Sequence, residues 1–263
     1  MEVAHKEGWN PGLYDAMTFY QIDEKGFFAG ELEGSLVGGV SAARSGENLV
    51  FIGNHFVLPP FRAKGYGKRL WEWALGQAGD SVVVINGLTD GREFYESYGF
   101  GRALNVIRYK GAIFTERSES DCVVPTGDVD FARLLEFDAA ISGARRQGFL
   151  KIWLDAPGME SRCLIKNGEI LSWACMRRCR RGWLFGPVYG IDFEAVDELI
   201  RHMAAKTLAE DAYLDIPETN ADAIKLAFAM GMTPVGARAR MFKNGALPEA
   251  YSDIYGFTSL DIG

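Results

Sequence analysis

The stretch that decides how this chain is read is His55-Phe-Val-Leu-Pro-Pro-Phe-Arg-Ala-Lys-Gly-Tyr-Gly-Lys-Arg-Leu-Trp-Glu-Trp-Ala-Leu75. It continues an apolar run from Leu49 to Val57 that reads as a strand. Pro59 and Pro60 stop that strand, because neither has a backbone N–H to donate to a ladder. Arg62-x-x-Gly65-x-Gly67 follows, and then Leu70, Trp71, Ala74 and Leu75 recur at helical spacing. A glycine-bearing loop opening a helix leaves several amides free and pointing the same way. With the positive end of the helix dipole, those amides make a site for phosphate oxygens. The candidate anion cradle is therefore Arg62, Ala63, Lys64, Gly65, Tyr66, Gly67 and Lys68, with Arg69 adding charge. An ordinary strand-to-helix turn with exposed basic residues is the bland alternative. A P-loop or a three-glycine dinucleotide fingerprint is absent.

Around this stretch the first half alternates short elements. Leu13, Met17 and Tyr20 have helical spacing after the breakers Asn10-Pro11-Gly12, and 26–32 and 36–43 read as a hairpin about a Glu33-Gly34 turn. Ser81 to Ile85 is a β-branched run typical of a strand buried on both faces. A short helix from Asp90 to Tyr98 is closed by Gly99, and 103–109 is a last strand. Glu116 to Asp121 is polar enough to be a linker.

Beyond it the pattern repeats. Glu31 to Val37 is echoed by Leu164 to Leu171, Leu49-Val-Phe51 by Trp183-Leu-Phe185, and Phe94 to Phe100 by Leu226 to Met232. The chain thus reads as two domains of one fold, 1–117 and 118–263. The alternative is one mixed domain with chance similarity. The second half departs from the first at the decisive place: after Ile191 it runs straight into Asp192-Phe-Glu194, with no glycine loop and with two carboxylates that would repel a pyrophosphate.

The order strand, proline, Arg-x-x-Gly-x-Gly, helix resembles the acyl-CoA-binding motif of the GNAT superfamily of N-acetyltransferases. The resemblance covers 26–109 and, less closely, 160–243, where Asn220-x-x-Ala223-x-x-Leu226 with Gly231 is similar to a second GNAT motif. It implies an α/β (α+β) fold of two tandem GNAT-type domains, each a mixed, mostly antiparallel sheet flanked by helices. The second would be a degenerate copy that has lost its loop. It also implies acetyl-CoA as cosubstrate, no metal, and transfer of an acetyl group to a primary amine.

In that reading the strands at 49–57 and 81–85 splay apart, and the pantetheine arm pairs with the backbone of His55, Phe56 and Val57. Tyr95 stands where the superfamily's thiolate-protonating tyrosine stands, and a phenol is protonated at neutral pH as a general acid requires. A backbone N–H of Val57 or a neighbour is the oxyanion donor. For the base, His55 has the right pKa range, with Glu7, Asp15 and Glu93 as rivals; a structural role for His55 stays open. Ala227 replaces the tyrosine in the second half. One acyl-CoA per chain is expected, with Phe149, Trp153, Tyr251, Tyr255 and Phe257 either walling a shared cleft or serving as plain core. A non-catalytic acyl-CoA sensor or an interaction scaffold are the alternatives.

Composition bounds the rest. At 263 residues, 48% hydrophobic and 24% charged, the chain is an ordinary globular one. The longest apolar runs fall short of the ~18–20 residues that span a bilayer, and the N-terminus does not read as a signal peptide. Cys122, Cys163, Cys175 and Cys179 read as free thiols of a reducing cytoplasm. A net charge of −7 argues against nucleic acid and toward a cationic small substrate. A monomer or a homodimer fits equally.

Overall fold

Turn chemistry sets most element ends. The structure, a computed structural model, describes residues 2–115 and 120–263. The expected linker and the split at residue 117 fall mainly outside the described residues. The first half comprises α1 (Glu2–Lys6), α2 (Asp15–Ile22), β1 (Phe27–Leu32), β2 (Ser35–Gly46), β3 (Leu49–Val57), α3 (Tyr66–Ala78), β4 (Val82–Leu88), α4 (Arg92–Ser97) and β5 (Gly101–Ala112). The second comprises β6 (Val123–Pro125), α5 (Phe131–Ser142), α6 (Gln147–Leu154), β7 (Met159–Lys166), β8 (Glu169–Arg178) and β9 (Trp183–Gly190). It continues through α7 (Phe193–Ala204), β10 (Asp211–Pro217), α8 (Ala221–Ala229), β11 (Thr233–Lys243) and β12 (Ile254–Gly256). The internal repeat is visible in the turns: Gly34 and Gly168 close the two matching hairpins, with φ of +76° and +79°.

The strands form one mixed sheet in the order β1-β2-β3-β4-β11-β5-β10-β9-β8-β7-β6, with β12 on β9. Antiparallel pairing dominates; β3 with β4 and β10 with β9 are the parallel pairs. The two halves exchange their last long strands. β11 of the second half lies between β4 and β5, while β5 of the first lies between β11 and β10. Nine register pairs join β5 to β11, so the two halves share a seam of main-chain hydrogen bonds.

The helices cover the sheet in three apolar clusters. Leu70, Trp71 and Ala74 of α3 pack on Val50, Ile52, Val83 and Met241. Leu199, Ile200 and Leu226 of α7 and α8 pack on Phe185, Val188 and Leu214. The third cluster joins both halves, with Phe19 of α2 stacked on Trp153 of α6 at 6.3 Å. This decides between the two readings of the aromatic set, against the cleft walls. Phe149, Trp153, Tyr255 and Phe257 are buried core residues rather than cleft walls, because the packing of α2 and α6 and the insertion of β12 take up their surfaces; the half-buried Tyr251 packs on the same core. The four cysteines are unbonded thiols, three of them buried. Among the described residues no helix is long and apolar enough to cross a membrane.

Candidate active site

The parallel ladder between β3 and β4 runs only from Leu49 opposite Val82 to Ile52 opposite Ile85. Beyond it both strands continue, β3 to Val57 and β4 to Leu88, without pairing to each other. β3 carries a bulge here: Gly39 faces Phe56 but Ser41 faces Gly53, so β3 holds one residue more than β2, and Asn54 takes φ +49°. A bulge bends a strand and twists it away from its neighbour. The two strands diverge at this point. The gap opens into a cavity of about 770 Å³. Its walls include Asn54–Val57, Arg62, Trp71, Asn86–Leu88 and Tyr95 from the first half. The N-terminal arm contributes Glu7–Pro11, and the second half contributes Tyr213, Asp215, Val235–Arg238 and Ser259–Asp261.

The predicted anion cradle sits at one mouth of the gap. Pro59–Phe61 form a single helical turn, Ala63 takes φ +60°, and Gly65 precedes α3 at φ +83° with no side-chain cap. The first hydrogen bond of α3 is Arg69 N–H to Gly65 C=O, so the amides ahead of it have no helical acceptor. An added Cβ at Gly67 would lie 3.4 Å from Val57, in ordinary contact, on the side of the helix that faces β3. The loop is thus open to a phosphate-bearing ligand by its backbone.

Its side chains are engaged elsewhere. Arg62 donates from Nε to Val57 C=O at 2.9 Å and pairs with Glu7 of the N-terminal arm. Lys64 donates to Pro60 C=O, and Lys68 faces Glu72 at 3.7 Å.

His55 lies beneath the first turn of α3. Its Nε2 is 3.0 Å from Gly67 C=O, an oxygen that can only accept, so Nε2 carries the proton. Burial, opposed by that hydrogen bond, pulls the imidazole below its ordinary pKa. A neutral ring, tilted against Trp71 at 6.1 Å between centroids, pegs the loop to β3.

Tyr95 reaches the gap from α4. Its ring packs closely on β4 at Gly87, where an added Cβ would come within 2.3 Å of Cε2. Trp71 packs on it at 5.2 Å. Burial pushes the phenol upward, against the opposing influence of the Leu88 backbone and Arg238, so Tyr95 enters neutral pH fully protonated. Sequence reasoning missed Gly87, although a glycine inside a strand signals a close approach by another group.

The proposed bases fare differently. Glu7 pairs with Arg62. Asp15 is buried and held by Arg177 at 2.8 Å and by Gly12 N–H. Glu93 is exposed on α4 and does not line the cavity. Arg108 grips Asp215 through two bonds of 2.7 Å and also donates to Trp9 C=O, tying the arm to the β5–β10 seam.

The matching gap in the second half is closed. β9 and β10 pair only from Trp183–Ala212 to Phe185–Leu214, and then β12 enters, Ile254 facing Tyr189 and Gly256 facing Val188. Phe257 N–H continues the insertion onto Asp215 C=O. At the head of α7 the Asp192 carboxylate accepts from Ala195 N–H at 2.8 Å, occupying a helix-start amide with a negative charge.

Known proteins share this plan. A model described as the acetyltransferase (GNAT) family matches residues 2–100, and one described as an acetyltransferase (GNAT) domain matches residues 134–256. A holothin acyltransferase of Pseudoalteromonas sp. (strain SANK 73390) is 26% identical over all of this chain and 90% of that protein. A putative acetyltransferase from Pyrococcus horikoshii superposes with a TM-score of 0.81 over 95% of this chain and 84% of that one, at 18% identity. A tandem GNAT protein from the clavulanic acid biosynthesis pathway gives 0.62 over 90% and 89%, at 13% identity. With one GNAT match in each half and an acyltransferase relative along its whole length, the chain belongs to the GNAT acetyltransferases, as an acyltransferase of two tandem GNAT folds.

Proposed function

We propose that this acyltransferase moves an acetyl group from acetyl-CoA to a primary amine by direct attack, with Tyr95 as general acid. The observation that carries the reading is the unpaired gap between β3 and β4, with free helix-start amides at its mouth and a protonated phenol over it. The amides from Gly65 to Lys68 would hold the pyrophosphate. The pantetheine amides would pair with β3 at His55, Phe56 and Val57, adding the strand that the sheet lacks there. This draws the thioester into the gap beside Tyr95.

The amine nitrogen attacks the carbonyl carbon, and the C=O electron pair moves to oxygen, stabilised by a strand amide near Val57. Collapse breaks the C–S bond, and the thiolate takes the Tyr95 proton. His55, with Nε2 spent on Gly67, serves the loop rather than the chemistry.

The arm at Glu7–Pro11 and the second half wall the cavity on the acceptor side, which favours a small amine over a protein or nucleic-acid acceptor. The Pseudoalteromonas relative is named for holothin as its acceptor, and only the transfer of an acyl group to a discrete acceptor is carried over. A cytoplasmic enzyme, monomeric or homodimeric, suits this chemistry. The test is thiol release from acetyl-CoA with a panel of primary amines. Release that depends on the amine supports the reading; acetyl-CoA bound with no amine-dependent release contradicts it.

A further inference from the structure

Four carboxylates line the cavity, Glu7, Asp15, Asp215 and Asp261, and three of them are spent on arginines. Asp261 has no ion-pair partner among the described residues. Its Oδ1 accepts the Asn54 N–H at 3.1 Å, at the bulge where β3 leaves β4. It stands at the root of the gap.

The tail that brings it there is firmly held. Arg146 and Arg177, both buried, donate to Thr258 Oγ1 and to Thr258 C=O. Asn86 of β4 donates to Leu260 C=O, and Ser45 to Ile262 C=O. Gly53 lets the tail approach, since an added Cβ would meet Asp261 backbone atoms at 2.8–2.9 Å.

We infer that Asp261 is the general base, taking a proton from an acceptor amine that arrives as an ammonium ion. The inference rests on the acyl-transfer reading above. Burial raises the pKa of this carboxyl, the Asn54 amide lowers it, Asp15 adds to the rise, and Arg108 and Arg238 counter it. A base whose pKa is raised toward the working pH takes protons more effectively. The step balances. The ammonium gives one proton to the carboxylate, the freed lone pair attacks the thioester carbon, and the C–S bond breaks as the thiolate takes the Tyr95 proton. The nitrogen's second proton restores Tyr95, and Asp261 releases the first to water.

The experiment compares the full-length wild type with Asp261→Asn, using benzylamine, an ammonium ion at pH 7, and aniline, already neutral there. Thiol release from acetyl-CoA should fall roughly a hundred- to ten-thousand-fold for benzylamine. The loss should shrink as rising pH deprotonates the free amine, and the aniline rate should change little. Because the folded pKa lies above the unfolded one, the ionised carboxylate costs stability near neutral pH, so Asp261→Asn should melt no lower than the wild type. Gly53→Ala, which displaces the tail without removing the carboxylate, should show the same selective loss.

Unchanged benzylamine turnover, or equal losses with both amines, overturns the base. Calorimetry separates the two levels. Wild type that binds no acetyl-CoA sinks the acyl-transfer reading itself, and wild type that binds it but releases thiol with neither amine sinks amine transfer and the base with it.

Discussion

The two parallel strand pairs of this molecule begin alike and end differently. β3 with β4, and β9 with β10, each pair over a few residues and then part. Parting leaves main-chain donors and acceptors facing a gap, and buried backbone groups need partners. The second half supplies them from its own chain, through β12 and Phe257. The first leaves them to a cavity. The helices that follow diverge in the same sense: α3 starts behind an uncapped Gly65, whereas α7 starts behind the Asp192 carboxylate. In this duplicated fold one gap is left empty of protein and the other is filled by the chain itself.

That contrast can be broken or sharpened by substitution. The largest effect is expected at Tyr95. Tyr95→Phe keeps the ring on Gly87 and removes only the hydroxyl, so turnover should fall about 10²- to 10⁴-fold. Acetyl-CoA affinity by calorimetry should hold; near-normal turnover would make Tyr95 a packing residue. On the closed side, Phe257→Ala hollows the segment that fills the second gap and should cost about 3–5 kcal/mol in denaturant unfolding. A cost below ~1 kcal/mol would mean that the insertion is superficial.

Gly67→Asp sets a carboxylate against the proposed pyrophosphate site and should weaken acetyl-CoA binding by one to three powers of ten, on the scale of ~1–4 kcal/mol for charges about 4 Å apart. Its counterpart, Asp192→Ala, should cost about 1 kcal/mol of stability as a lost N-cap, with acetyl-CoA affinity unchanged. The smallest effect is a pH slope. Because His55 is held neutral with its pKa lowered, the unfolded chain binds the extra proton, and stability should fall as pH drops below about 6.5. In His55→Gln that part of the slope should vanish from urea midpoints measured across pH.

The strand–loop–helix unit was legible because Pro59, Pro60, Gly65 and the Leu70 to Leu75 spacing are local signals that need no partner. The turn glycines Gly34 and Gly168 exposed the repeat for the same reason. The exchange of β5 and β11 was not legible, since a strand's alternation is the same whichever strand it joins. Which residues of β3 face the gap was hidden by the bulge at Asn54, which breaks the period-2 rule that would have decided between His55 and its neighbours. Asp261 was invisible for a different reason. It is third from last in the sequence with no motif around it, and only the pairing of the tail with Asn54 and Asn86 places it at the gap. The glycines Gly53 and Gly87 were the available clue, each marking a point where another group crosses the strand closely.

The central claim is that the molecule has one open acyl-CoA cleft, between β3 and β4, and one that its own chain has closed. Calorimetric titration of the full-length protein with acetyl-CoA tests it most directly. The account predicts one site per chain in the wild type, with that site weakened in Gly67→Asp and intact in Asp192→Ala. Two sites per chain, or a single site indifferent to Gly67→Asp, would contradict it.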